Sequence, residues 1–245
     1  MSIGREFMLK TRYAQMGPSD QSQGVPQPPL EKPVPLGATR LPLPEAAAAA
    51  PAPLSFLDLV TRRQTLRRYA PTPLSLAELA YLLWCTQGVK KVTPTNTRRT
   101  VPSAGARHAF ETIVLANRVE GLAAGLYRYG ALAHDLIVLG APADIAAQVM
   151  AACLDQQQVV DSAVTFIWVA DVYRMQWRYG ERGYRYLHLD AGHVCQNLYL
   201  AAESIGCGVC AMAAFDDERL NNLLGLDGET EFVIYLASVG RREDT

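Results

Sequence analysis

Net charge is the first thing this sequence lacks. Its 23 lysines and arginines meet 24 aspartates and glutamates, a formal net charge of -1, so no global field draws it to nucleic acid or to an anionic membrane. Long apolar runs are missing as well, and none reaches the roughly eighteen residues that read as a transmembrane helix. The opening MSIGREFMLKTRYAQ has no basic-then-apolar layout of a secretory signal. With five cysteines and no such signal, a reducing, cytoplasmic setting with free thiols is the expectation. Histidine is scarce, and His188 and His193 in HLDAGH stand about 140° apart around a helix. A zinc helix needs two histidines four apart with a glutamate after the first. The lone CxxC, Cys207 to Cys210, supplies two of four ligands, so no metal site is expected.

What is present divides into a tail and a domain. Ten of the fifteen prolines fall between Gly17 and Pro53, and proline excludes a core helix or central strand. This segment, counted with all of residues 1–53 as an arm and linker, reads either as a disordered leader or as an ordered arm over a partner subunit. The apolar residues in PQPPL and KPVPL favour the arm for Gly17 to Leu43. The alanine run Ala46–Ala50 reads as linker or a helical turn.

The folded domain is expected over residues 54–245. Leu54, Leu57 and Val60 share a helical face, and Ser75 three residues before Glu78 forms a capping-box pattern for a helix ending at Gly88. FETIVLANRV, GLYRY, HDLIVLG, AVTFIWVAD and EFVIYLASVG read as strands, with helices between them at 142–154, 187–204 and 216–224. The order gives an α+β domain rather than a βαβ alternation.

Three segments carry candidate chemistry. In TRRQTLRRYAP, Arg63 and Arg67 are four apart, share a face in a helical turn and suit one phosphate, with the Thr65 hydroxyl beside them. In TVPSAGARHAF, after the loop-like KKVTPTNTRR, the small residues Ser103 to Ala106 let backbone groups reach a flat ligand. RYGERGYRYLHLDAGH reads as surface decoration or as a glycine-hinged lid of cationic and aromatic residues over a planar substrate. The pair in GCGVCAM follows a long helix and reads as a small-residue loop, whereas a redox dithiol sits at a helix N-terminus.

Together, RRQTLRRYAPTPLSLAELAYLLWCTQGV, RTVPSAGARHAFETIVL, EGLAAGLYRY, GYRYLHLDAGHVCQNLYLAAESIGCGVCAMAAFDDERLNNLLGL and YLASVGRR resemble the nitroreductase superfamily, and within it the SagB-type or ThcOx-like dehydrogenase branch. The resemblance runs from about Leu54 to Arg242. It implies an FMN-binding α+β fold, a central mixed sheet flanked by helices, and a homodimer with flavin at the subunit interface. It matches Arg63, Gln64, Thr65 and Arg67 to a first flavin-binding block and Pro102, Ser103, Ala104, Gly105 and Ala106 to a loop reaching the flavin from the partner subunit. Cys207, Gly208 and Val209 match a loop along the isoalloxazine, and Arg241 a C-terminal phosphate ligand. Thr65 stands where the family has serine, and Arg178–Tyr179 stands where azoline oxidases of the branch carry lysine–tyrosine. Arginine is no base near neutral pH, which leaves Tyr179 for proton transfer and Arg178 and Tyr184 for substrate contact.

The expected function is FMN-dependent, ping-pong two-electron transfer on a small-molecule or peptide-derived substrate. An NAD(P)H-using reductase competes with a dehydrogenase forming C=N or C=C bonds. A non-catalytic flavin- or partner-binding subunit and a thiol–disulfide oxidoreductase are the alternatives outside that class.

Overall fold

A computed structural model describes residues 1–243; Asp244 and Thr245, the end of the expected domain, lie outside the described residues. Its centre is a seven-stranded sheet in the order β1-β6-β5-β4-β7-β9-β8. The members are β1 (Arg40–Pro42), β4 (Phe110–Ala116), β5 (Gly125–Gly130), β6 (Asp135–Leu139), β7 (Val164–Asp171), β8 (Cys207–Met212) and β9 (Glu231–Arg241). Every ladder is antiparallel. The expected mixed sheet therefore keeps parallel pairing only in two isolated bridges, Thr65–Val209 and Leu74–Val119.

The central strands are apolar on both faces because helices cover both. On β4, Val114 and Ala116 face a core shared with Leu79, Leu82 and Leu83 of α3 (Leu76–Gln87) and Leu187, Val194 and Leu198 of α7 (Gly183–Ser204). Ile113 and Leu115, one residue out of phase, face a second core with Ile145 and Val149 of α4 (Ile145–Ala152) and Leu220 of α8 (Asp217–Leu223). Alternation along the strand thus assigns side chains to the two layers. Helix α3 starts as its sequence dictates: Ser75 Oγ accepts the Glu78 N–H at 3.2 Å and Glu78 Oε2 accepts the Ser75 N–H at 2.9 Å. The loop-like 90–99 stretch is a small hairpin of β2 (Val89–Val92) and β3 (Thr97–Arg99).

The proline-rich arm is ordered and lies along its own chain. Leu30 O accepts from Arg99, the Lys32 N–H donates to Glu111 at 2.8 Å, and Arg128 donates to the carbonyls of Lys32 and Pro33. Arg40–Pro42 then joins the sheet as its edge strand beside β6, where Pro42 tolerates its missing N–H. A border at residue 54 therefore does not divide the structure. Helix α1 (Ile3–Lys10) precedes the arm, and Ala46–Ala49 form a 3₁₀ turn against α3.

Candidate active site

The Ser103–Ala106 loop is built by strain and by one buried carboxylate. Gly105 has φ +56, and Ala106 and His108 also adopt positive φ, 52° and 45°. Such conformations persist where the surroundings over-determine them, and they cluster at functional sites. Asp190 of α7 holds this loop: it accepts from Ser103 Oγ at 2.6 Å and from the Ala104 N–H at 3.2 Å. Burial raises the Asp190 pKa, and the Ser103 and Ala104 donors act against it. The His108 N–H donates to Ser103 Oγ at 2.9 Å, and burial, then Arg99, pushes the His108 imidazole down to about 3, so that ring is neutral.

Arg178 and Tyr179 end α6 (Val172–Tyr179) and press on the same loop. A Cβ on Gly105 would lie 2.6 Å from Tyr179 Oη and 2.7 Å from Arg178 Cδ, so any larger residue there would push both side chains aside. The segment read as surface decoration or a glycine-hinged lid is a helix–turn–helix: a 3₁₀ turn, Gly180–Arg182, leads straight into α7. Its aromatic and cationic residues are packed on one another. The Tyr179 and Tyr186 rings meet edge-on at 4.7 Å, and Arg182 Nε donates to Tyr186 Oη at 2.8 Å. Tyr184 is half-buried, and burial, followed by Glu181 and Glu229, raises its phenol pKa.

The arginine block lies further along α7. Helix α2 (Phe56–Arg62) stops before it, so Arg63 to Arg67 form an extended segment and not the expected helical turn. The segment rides on β8: the Leu66 N–H donates to Val209 O at 2.9 Å, and Thr65 bridges to Val209. Gly208 makes room for it, since a Cβ there would stand 2.4 Å from Leu66 Cδ2. Thr65 Oγ1 lies 3.2 Å from Tyr199 Oη, and the Arg63 guanidinium stacks 5.1 Å from the centre of the Tyr199 ring. Gln64, Leu66, Arg67, Arg68, Arg242 and Glu243 line a cavity of about 450 Å³, three arginines against one carboxylate. Among the described residues neither Arg63 nor Arg67 forms an ion pair. Arg241 does: it pairs with Glu78 and donates to Ile205 O at 2.9 Å, so its guanidinium is already engaged.

Cys207, Gly208 and Val209 belong to strand β8, fully paired with β9, and not to a loop. The strand places Cys207 in the core under α3 and α7 and Cys210 in the opposite core. Side chains on opposite faces of one strand cannot close a disulfide with each other. Burial raises both thiols, Cys207 to about 11, which leaves neither as a ready thiolate. No group of three His, Cys, Asp or Glu among the described residues is arranged to hold a metal ion, and no described helix is long and apolar enough to cross a membrane.

The predicted residues thus form two clusters on one helix. The loop with Arg178 and Tyr179 sits at Asp190, and the arginine block sits at Tyr199, about 13 Å further along at 1.5 Å per residue. Asp190 and Tyr199 were not among the residues read from the sequence. Their one local signal is spacing, because Leu187, Asp190, Val194 and Leu198 share the buried face of α7.

An antiparallel sheet between two helical layers, with a cationic segment and a strained small-residue loop on one long helix, is the frame of an α+β oxidoreductase. The chain belongs to the nitroreductase family, whose family model matches residues 60–241. A Methanocaldococcus jannaschii protein named as a nitroreductase is 33% identical over 185 residues, covering 76% of this chain and 90% of its own. The trifolitoxin-processing protein TfxB of Rhizobium leguminosarum bv. trifolii is 30% identical over 151 residues, 60% of this chain and 40% of its own. A crystal structure of a nitroreductase-type protein from Anabaena variabilis superposes with TM-score 0.65 at 28% identity, over 84% of this chain and 42% of that one. The chain therefore spans well under half the length of the last two relatives.

Proposed function

We propose that this protein is an FMN-dependent oxidoreductase of the SagB-type branch, acting as a homodimer on a small-molecule or peptide-derived substrate. The observation that carries the reading is the Arg63–Arg67 segment: extended, pinned to β8 and holding arginines without carboxylate partners among the described residues. A dianionic phosphate fits that donor set. Arg63, held over the Tyr199 ring, has N–H donors for an oxyanion, and Gln64, Thr65 and Arg67 add donors along the same stretch. Arg241 fits less well, being committed to Glu78. Gly208 and Val209 seat the segment, with Leu66 packed on Gly208 and bonded to Val209 O, and Cys207 is a small buried filler beside them.

Bound FMN would supply two-electron, ping-pong transfer at N5. The chain's own residues do the rest. The Pro102–Ala106 loop, fixed by Asp190, presents backbone rather than side chains. Tyr179 holds the transferable proton at Oη next to Gly105, and Arg178 and Tyr184 contact substrate. The loop and the arginine block lie apart within one chain, which suits a site completed by the loop of a second copy. The processing role in the name of TfxB favours a dehydrogenase acting on a peptide-derived substrate over an NAD(P)H-using reductase.

Replacing Arg63 or Arg67 by methionine tests the assignment through FMN affinity, read from quenching of flavin fluorescence. Each change removes a charge-assisted hydrogen bond of roughly 1.5–3 kcal/mol, so FMN binding should weaken about tenfold or more. Unchanged affinity in both variants would overturn it. Anaerobic mixing of the flavin-loaded protein with NADH or NADPH decides the direction: no bleaching supports the dehydrogenase, and rapid bleaching the reductase.

A further inference from the structure

Next to the proposed proton carrier the arm closes a second space. Tyr13, Met16 to Ser19, Gln21 and Ser22 of the arm, with Arg178 and Tyr179 at the end of α6 and Arg182 in the turn after it, line a half-open cavity of about 380 Å³. Among the described residues no aspartate or glutamate lines it; Asp20 of the arm accepts from Tyr173 Oη at 2.8 Å instead. Arg182 spends Nε on Tyr186 and one terminal nitrogen on Thr11 O, leaving the other terminal nitrogen over. Arg178 lies over the Tyr179 ring, its guanidinium carbon 5.6 Å from the ring centre, and forms no ion pair among the described residues. The nearby Arg107 adds further positive charge: burial, then Arg178, makes its charged form less favourable. The wall is built, not draped. The Gln21 N–H donates to Trp177 O at 2.8 Å, Trp177 Nε1 donates to Val25 O at 2.9 Å, and Arg185 donates to Met8 O.

We propose that this cavity is an anion subsite that takes the carboxylate of a flat, unsaturated acid. Two guanidiniums that form no ion pair among the described residues can take an anion, and a carboxylate matches their planar fork. Tyr13 and Tyr179 line the same cavity and offer aromatic surface to a flat body next to it. Since Tyr179 also touches Gly105, the body of such an acid points toward the strained loop. This assignment rests on the proposed function only for calling the acid a substrate; its binding stands apart from the flavin.

Benzoate is the probe, with neutral benzamide as control, titrated calorimetrically into the full chain. Benzoate should bind at least tenfold more tightly than benzamide, and Arg178→Met should remove that preference. Ser19→Glu, which sets a carboxylate into the arm wall without touching α6, should weaken benzoate at least fivefold while near-ultraviolet circular dichroism stays that of the native protein. Equal binding of benzoate and benzamide, benzoate binding indifferent to both substitutions, or tighter binding of inorganic phosphate than of benzoate would each overturn the subsite. Scoring FMN retention in the same samples keeps the two proposals distinguishable. In the unsubstituted protein, absence of a benzoate preference with flavin bound counts against the subsite, and absence of flavin with the benzoate preference present counts against the proposed function.

Discussion

Glu111, on β4, joins the arm to the sheet. One oxygen accepts the Lys32 N–H and Arg174, both at 2.8 Å, and the other accepts Arg128 at 3.1 Å, with all three ionic side chains buried. Burial opposes its ionisation, but Arg174, the Lys32 N–H and Arg128 outweigh burial and hold the carboxyl below the usual carboxylate range. A depressed carboxylate stabilises the fold above its unfolded pKa, and that contribution is lost as pH falls through the folded pKa. Glu111→Gln leaves Arg128 without its anion and Arg174 with Asp171 alone, and should cost about 3–5 kcal/mol in denaturant unfolding at neutral pH. It should also remove this group's share of the acid-induced loss of stability. A variant with wild-type stability and an unchanged acid limb would contradict the network.

At the scale of elements, the crossing of the Thr65–Leu66 segment over β8 sets the proposed cofactor side of the site. Gly208→Ala forces the Leu66 side chain to move, because the new methyl would overlap both its Cβ and its Cδ2. Such overpacking costs about 1–3 kcal/mol, and it should loosen Thr65 from Tyr199. FMN affinity, measured by fluorescence quenching, should fall together with the unfolding midpoint. A fall in stability with affinity intact would show that the segment's seat does not matter to the ligand. The same region marks what could be read from sequence. The capping box at Ser75 and the β-branched strands are local features, and the five strand readings agree with the sheet. CGVCAM holds glycine, alanine and cysteine with one β-branched residue, so its strand character comes from pairing with β9, a tertiary fact. The helical turn at Arg63–Arg67 fails for the same reason: contact with Val209 fixes an extended backbone that arginine and glutamine do not demand. Asp190 lies 86 residues from the Ala104 N–H it holds, and Tyr199 lies 134 from Thr65. No periodicity encodes such meetings.

Over the whole molecule, α2 presents an exposed apolar face, where Phe56 is 70% and Leu57 73% exposed beside a half-exposed Val60. In the proposed homodimer this face has a partner, and the loop of one copy completes the arginine block of the other. Leu57→Glu should convert a dimer to a monomer in analytical ultracentrifugation and lower FMN affinity with it. A Leu57→Glu protein that stays dimeric would place the interface elsewhere. The central claim is simpler, that this chain carries a flavin. Full-length protein incubated with FMN and passed through size-exclusion chromatography should elute yellow, with the flavin absorbance band coincident with the protein and one flavin per chain. A colourless protein peak, with all the FMN eluting as free small molecule, would contradict the account.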